Sequence, residues 1–179
     1  MAQEKEKGKE KRTIRVQPLS LAAFGKYGRY ANFAYPPGIN TFGTGSAIEF
    51  SPDMISLDTG GKVPSFSDCS VKKRPFIITE TEAHSETEEL YRADEDTIIH
   101  VGPPTADDNP PLDAIEAFFV PARTVVVFKR RVWHHAGYKV VDSDNPTTIL
   151  IGLAPCTYHN DCHLVRLAEA DQIEIDTGM

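Results

Sequence analysis

The stretch Ala117-Phe-Phe-Val120-Pro-Ala-Arg123-Thr124-Val-Val-Val-Phe128 decides the fold. Two short apolar runs flank a turn-like opening at Pro121-Ala122-Arg123. The β-branched series from Thr124 to Val127 favours extended backbone, where branched side chains are least strained. Outward from this stretch the same signature recurs at residues 13–16, 47–50, 54–57, 76–79, 97–101, 138–141, 148–153 and 164–167. Pro-Asp, Thr-Gly-Gly, Gly-Pro-Pro and Asp-Asn-Pro sequences separate these runs, as turn chemistry demands. Many short strands at close spacing predict an all-β sandwich or barrel. Ser20 is placed to cap one short helix over residues 21–24, closed by Gly25 and Gly28. Residues 102–112 and 60–75 read as surface loops. Residues 168–175 fit a short helix or an edge strand equally well.

The chain has 179 residues, enough for one domain with a sizeable core. That domain is assigned to residues 13–179. Residues 1–12 alternate Lys and Glu and read as a charged, mobile extension. The net charge of −7 argues against a nucleic-acid partner, because phosphate binding needs a cationic face. No apolar run approaches the roughly 20 residues of a membrane span. The three cysteines, Cys69, Cys156 and Cys162, are an odd number without metal-type spacing. With no export signal, they predict free thiols and a cytoplasmic location.

Two clusters can do chemistry. In Glu80-Thr-Glu82-Ala-His84-Ser-Glu86-Thr-Glu88-Glu89, Glu82 and His84 share one face of an extended strand, because side chains alternate with period two. A carboxylate and an imidazole so placed can bind one metal ion or act as an acid/base pair. The bland alternative is a solvated acidic turn with an incidental histidine. In the second cluster, Val132-Trp133-His134-His135, adjacent histidines on a strand point to opposite faces, so one is expected to enter a cavity. Here the bland alternative is a core tryptophan beside histidines that cap a turn.

Two or three short strands and a surface loop separate His84 from His134, the interval that brings two jelly-roll strands together across a lumen. Glu82-x-His84-x3-Glu88, or x4-Glu89, resembles the first cupin motif with Glu in place of its first His. Pro121-x-Arg123 onward to His134 resembles a relaxed second motif that lacks its usual Gly. Within that superfamily the chain resembles ureidoglycolate lyase over nearly its whole length after residue 13. The resemblance is carried by Gln17-Pro-Leu-Ser-Leu-Ala-Ala-Phe-Gly-Lys-Tyr-Gly28, Glu82-Ala-His84, Ile115-Glu-Ala-Phe118, Val132-Trp-His-His135 and Asn160-Asp-Cys162. It departs from the family at Glu88-Glu89-Leu90-Tyr91, at Ala136 where Pro is usual, and in the approach to the tryptophan.

The resemblance implies a cupin-like double-stranded β-helix (jelly-roll) barrel with a short N-terminal helix. As a closed antiparallel barrel, it would face Glu82, His84 and His134 into one lumen. The implied activity is cleavage of ureidoglycolate to glyoxylate and urea, in allantoin and purine-nitrogen breakdown. A divalent metal such as nickel, zinc or manganese is implied too, with His84, His134 and Glu88 or Glu89 as ligands. Glu82 or His135 would be the base. Trp133 would contact the substrate, with Arg74 or Lys129 clamping its carboxylate. The partners implied are the small-molecule substrate and a second copy of the chain in a homodimer. Two rival readings stand beside this one. One is another metal-dependent cupin enzyme, an isomerase or dioxygenase, favoured by the extra Glu86, Glu88 and Glu89. The other is a non-catalytic binder of a small acid or sugar.

Overall fold

The computed structural model describes residues 12–34 and 41–179. The expected extension over residues 1–11 lies outside the described residues. Arg12, assigned to that extension, instead opens the first strand and pairs with Ile173. In chain order the elements begin with β1 (Arg12–Pro18), α1 (Leu21–Phe24), β2 (Gly28–Asn32), β3 (Ser65–Val71) and β4 (Ile77–Ile78). Next come β5 (Glu80–Ala83), β6 (Glu89–Ala93), β7 (Thr97–Gly102), β8 (Glu116–Val120) and β9 (Thr124–Phe128). The chain ends with β10 (Trp133–His134), β11 (Tyr138–Lys139), β12 (Thr147–Leu153), α2 (Thr157–Asn160), β13 (His163–Arg166) and β14 (Ile173–Asp176).

The strands form two curled sheets that make a half-barrel, an all-β jelly-roll arrangement. The larger runs β13-β5-β10-β7-β8-β1-β14-β4, with β11 beside β7, and the smaller runs β2-β9-β6-β12-β3. The expectation of a closed antiparallel barrel is corrected in two respects. β1 pairs in parallel with both β14 and β8, so its two halves join one sheet path. Both sheets also keep end strands, so the barrel is open.

Strand periodicity places the core. On β7, Ile99 and Val101 face the space between the sheets, where they meet Tyr91, Phe118, Phe128, Ile149 and Ile151. Ile98 points the other way, into a second layer with Ile78, Ala117, Tyr138 and Ile173. That double burial explains why all of β7 is buried and why its sequence is apolar without alternation. Ser20 caps α1 as expected, its side chain accepting from the Ala23 N–H. Phe24 then turns inward and meets Phe118 edge-on with ring centroids 5.4 Å apart.

Several local expectations fail. Residues 47–50 form only an isolated bridge, Phe42 to Phe50, and residues 54–57 form no strand. The polar loop at 60–75 contains β3, an edge strand registered along the whole of β12. Residues 168–175 resolve into a 3-10 turn at Glu169–Asp171 followed by the start of β14.

Gly28 shows how tightly α1 and β2 close this end. A Cβ there would lie 2.1 Å from the Val127 carbonyl oxygen and 3.1 Å from the Phe24 ring. The obstacle is backbone that is paired in the sheet, so it cannot give way. Gly28→Ala is therefore expected to lower unfolding free energy by roughly 1–3 kcal/mol, read as a lower urea midpoint with an unchanged slope.

Candidate functional site

The site begins with one register pair. β10 lies between β5 and β7, and His134 stands directly opposite Glu82. Facing residues of an antiparallel pair project to the same side. The chain leaves β5 after Ala83, and the His84 carbonyl accepts from the Arg131 N–H at 2.6 Å, which ties the two turns together. Glu89 then opens β6 in the opposite sheet and is almost fully buried. Its Oε2 lies 3.1 Å from His84 Nε2 and 3.2 Å from His134 Nε2. The two imidazole rings are 5.4 Å apart, and Phe128 stacks on His134 at 4.4 Å. The expectation that these two histidines approach within reach of one small ligand is met.

Each imidazole spends its other nitrogen on a carbonyl. His84 Nδ1 lies 3.0 Å from the Asp161 oxygen, and His134 Nδ1 lies 2.8 Å from the Val132 oxygen. A carbonyl only accepts, so both Nδ1 atoms carry hydrogen and both Nε2 atoms are turned inward. His134 Nε2 is buried and, despite its approach to Glu89, too poorly aligned to make a hydrogen bond. Burial alone would raise the Glu89 carboxyl pKa, but the close approach of His134 and the hydrogen bond and charge of His84 outweigh it and bring it to about 2. Burial alone would lower His134, and Glu89 outweighs that and raises it to about 9. The pocket is thus built around a cation next to Glu89.

A metal ion fits the same geometry. One ligand atom from each of Glu82, His84 and His134 lies within 4.8 Å of the others, and all three residues are buried. Once their Nε2 protons are displaced, the two inward imidazole nitrogens and a carboxylate oxygen suit a divalent first-row metal. The Nδ1-to-carbonyl bonds are the orienting contacts that metal-binding histidines use.

A cavity of about 280 Å3 adjoins this cluster, walled by Glu82, Glu89, His135, Tyr158, Cys69 and Asp68. His135 has left the strand and reaches this cavity. Burial is the largest influence on its pKa and holds it below the ordinary imidazole value, against the opposing charges of Glu82 and Glu80. Its Nδ1 is buried without a hydrogen-bond partner, and its Nε2 is 3.6 Å from Glu80. A larger cavity of about 420 Å3 touches the outer side of His84 and is lined by Trp133, Arg131, His159, Cys162 and His163. The Trp133 indole N–H donates to the Thr105 hydroxyl there at 3.0 Å. Both adjacent histidines therefore reach the site region, although opposite faces were expected for them.

Three sequence-predicted residues lie elsewhere. Glu88 turns to Arg29, 2.8 Å from its Nη1 and 2.5 Å from its Nη2, and accepts from the Asp58 N–H at 2.9 Å. Glu86 pairs with Lys62 at 2.9 Å. Of the three glutamates after His84, only Glu89 reaches the histidines. Lys129 is exposed and donates to the Gly25 carbonyl at 2.7 Å, away from the cavity. Arg74 donates to the Ala136 carbonyl at 2.6 Å and lies 4.0 Å over the Tyr138 ring, which commits it behind the cavity wall.

Sequence reasoning missed Cys162, Asp161 and Tyr158. Cys162 Sγ–H donates to Glu82 Oε2 at 3.0 Å, and burial together with Glu82 pushes the thiol up to about 12. Asp161 supplies the carbonyl for His84. The Tyr158 ring stands edge-on to His84 at 5.8 Å. The Asn160-Asp-Cys162 run was the available signal, but spacing alone does not place it beside β5. The pairing of β13 with β5, His163 opposite Ala83, does that.

Comparison with known proteins adds one result. The ureidoglycolate lyase family model matches residues 11–174. No curated protein matches the chain.

The different settings of the two glutamates predict different losses. Glu88→Gln should lower stability by roughly 1–3 kcal/mol and leave divalent-metal affinity within about threefold. Glu89→Gln should weaken metal affinity by at least about tenfold. Calorimetric titration with nickel and urea unfolding measure the two effects, and equal metal affinities in the two variants would contradict the placement.

Proposed function

The chain belongs to the ureidoglycolate lyase family and is a lyase-type enzyme, and we propose that it cleaves ureidoglycolate itself to glyoxylate and urea in purine-nitrogen catabolism. The observation that carries this reading is the His135 imidazole in a small cavity beside Glu82, Glu89 and the histidine pair. A cavity of about 280 Å3 suits a small acid rather than a polymer.

Ureidoglycolate is a carbinolamide, with hydroxyl, ureido nitrogen and carboxylate on one carbon. Its cleavage needs a base for the hydroxyl proton and an acid for the departing nitrogen. His135 accepts the hydroxyl proton, the carbon–oxygen double bond forms, and the carbon–nitrogen bond breaks. The electron pair leaves with the urea nitrogen, and His135 returns the same proton to it. Atoms and charge balance without any further reactant.

Glu82, His84 and His134 would hold a divalent ion of the nickel, zinc or manganese kind. When bound, such an ion supplies positive charge where the substrate oxygen develops negative charge. The rival isomerase or dioxygenase reading leaned on the extra glutamates, and Glu86 and Glu88 are engaged with Lys62 and Arg29 outside the cavity.

Cupin superfamily membership, a homodimer and a cytoplasmic location belong to the same proposal. Support for the dimer comes from the edge strand β3, which pairs only with β12 among the described residues and exposes Phe66 near the partly exposed Leu150. No helix among the described residues is long and apolar enough to cross a membrane, and the three cysteines are free.

With ureidoglycolate the protein should release urea and glyoxylate in equal amounts, and His135→Gln should lower kcat by about 100- to 10,000-fold. Absence of urea release from the native chain would overturn the reading. Light scattering at tens of micromolar should give the mass of a dimer, and a monomer would remove that part of it.

A further inference from the structure

We propose that Cys162 is a positioning residue whose thiol orients the Glu82 carboxylate through the 3.0 Å hydrogen bond from Sγ–H to Oε2. The inference rests on the reading of Glu82 as a metal-holding residue. Four features of the structure support it.

First, a carboxylate only accepts, so the hydrogen between these two atoms belongs to sulfur. Among the described residues the Glu82 carboxylate has no other hydrogen-bond partner, so the thiol is what selects its rotamer. Second, the two residues before β13 serve the two site residues at the end of β5. The Asp161 carbonyl fixes His84 through Nδ1 at 3.0 Å, and Cys162 fixes Glu82.

Third, the segment that presents Cys162 is anchored by contacts other than the one to Glu82. The Asp161 carboxylate accepts from the Ser85 N–H at 2.9 Å, the Ser85 hydroxyl at 2.6 Å and the Glu86 N–H at 2.8 Å. Glu82 is therefore held against a fixed point. Fourth, a thiol is a weak donor. It fixes one oxygen while drawing little charge from the carboxylate, which stays available to a cation. A guanidinium or ammonium in the same place would neutralise the group it positions.

A cysteine that merely fills space would be replaced equally well by Ala or Ser, which are both close to it in size. A donor would be replaced by Ser alone. Nickel titration of the metal-free protein should show Cys162→Ala about 10- to 100-fold weaker than the native chain, with Cys162→Ser within about threefold. An Ala variant within threefold of native, or a Ser variant as weak as Ala, overturns the proposal. The infrared S–H stretch gives a second readout that needs no metal. The Cys162 band, identified by its loss in Cys162→Ala, should shift upward in Glu82→Ala as the hydrogen bond disappears. A band that does not move overturns the proposal as well. If the native chain binds no nickel, the metal reading fails, and the infrared band alone decides whether Cys162 holds Glu82.

Discussion

The Glu89 carboxylate, buried between two imidazoles, is the interaction on which the site depends. An isolated carboxylate in the space between two sheets costs several kcal/mol of lost hydration. Here His134 comes from the larger sheet and His84 from the turn after β5, while Glu89 belongs to the smaller sheet. The ionic contact therefore spans the sandwich, and it forms only if β5, β6 and β10 are all in register. Around it the core is apolar: Phe128 stacks on His134, and Tyr91, Val101 and Ile151 pack nearby. Removing water from this surround strengthens the attraction between Glu89 and its partners. The same burial makes any unmatched charge there expensive, which is why the geometry is tightly specified.

What the sequence made legible follows from burial on both faces. β7, β9 and most of β12 are runs of Ile, Val, Leu and Thr because the sheets are covered there, and those runs are readable without knowing the fold. β6 was hidden for the opposite reason. It places Glu89, Tyr91 and Ala93 inward with Leu90 and Arg92 on the other face. A strand that begins with a buried acid, after the exposed Glu86 and the Arg29-paired Glu88, looks like a solvated acidic run. β3 was hidden because, as an edge strand, it exposes Ser65, Phe66, Ser67 and Asp68. Polar edge strands carry little periodic signal, and that polarity is part of how edges avoid aberrant pairing.

The site residues divide along the same line. Strand parity correctly grouped Glu82 with His84, and the interval to His134 correctly brought a second histidine beside them. Parity then failed at Glu88 and Glu89, because the chain crosses from one sheet to the other between Ala83 and Glu89. Such a crossing resets which alternate residues face inward. The resemblance offered Lys129 as a clamp, and the turn that carries it has no strand parity to follow. Arg131 adopts a left-handed backbone, φ 65°, so counting along an extended strand does not say which of Lys129, Arg130 and Arg131 faces a cavity. Arg131 lines the larger cavity, and Lys129 reaches α1 instead. The Asn160-Asp-Cys162 run was visible, but only the pairing of β13 with β5 places Cys162 beside Glu82.

The charge distribution in the smaller cavity carries one more consequence. Three carboxyl groups line it, Asp68, Glu82 and Glu89, and the two buried ones, Glu82 and Glu89, are not equivalent. Glu89 is matched by the imidazole pair, whereas the nearest hydrogen-bond donor to Glu82 is the neutral Cys162 thiol. Arg74 and Lys129, the cations expected to receive an anionic substrate, are committed to backbone carbonyls. Among the described residues that line this cavity none is a lysine or arginine, so an organic acid entering it would meet the Glu82 carboxylate without a permanent cation to receive it. Repulsion at such short range in a partly dehydrated space amounts to several kcal/mol. Positive charge must enter before the acid or together with it. A divalent ion held by Glu82, His84 and His134 would supply it, and the same two histidines that stabilise Glu89 would then also prepare the cavity for an anionic substrate.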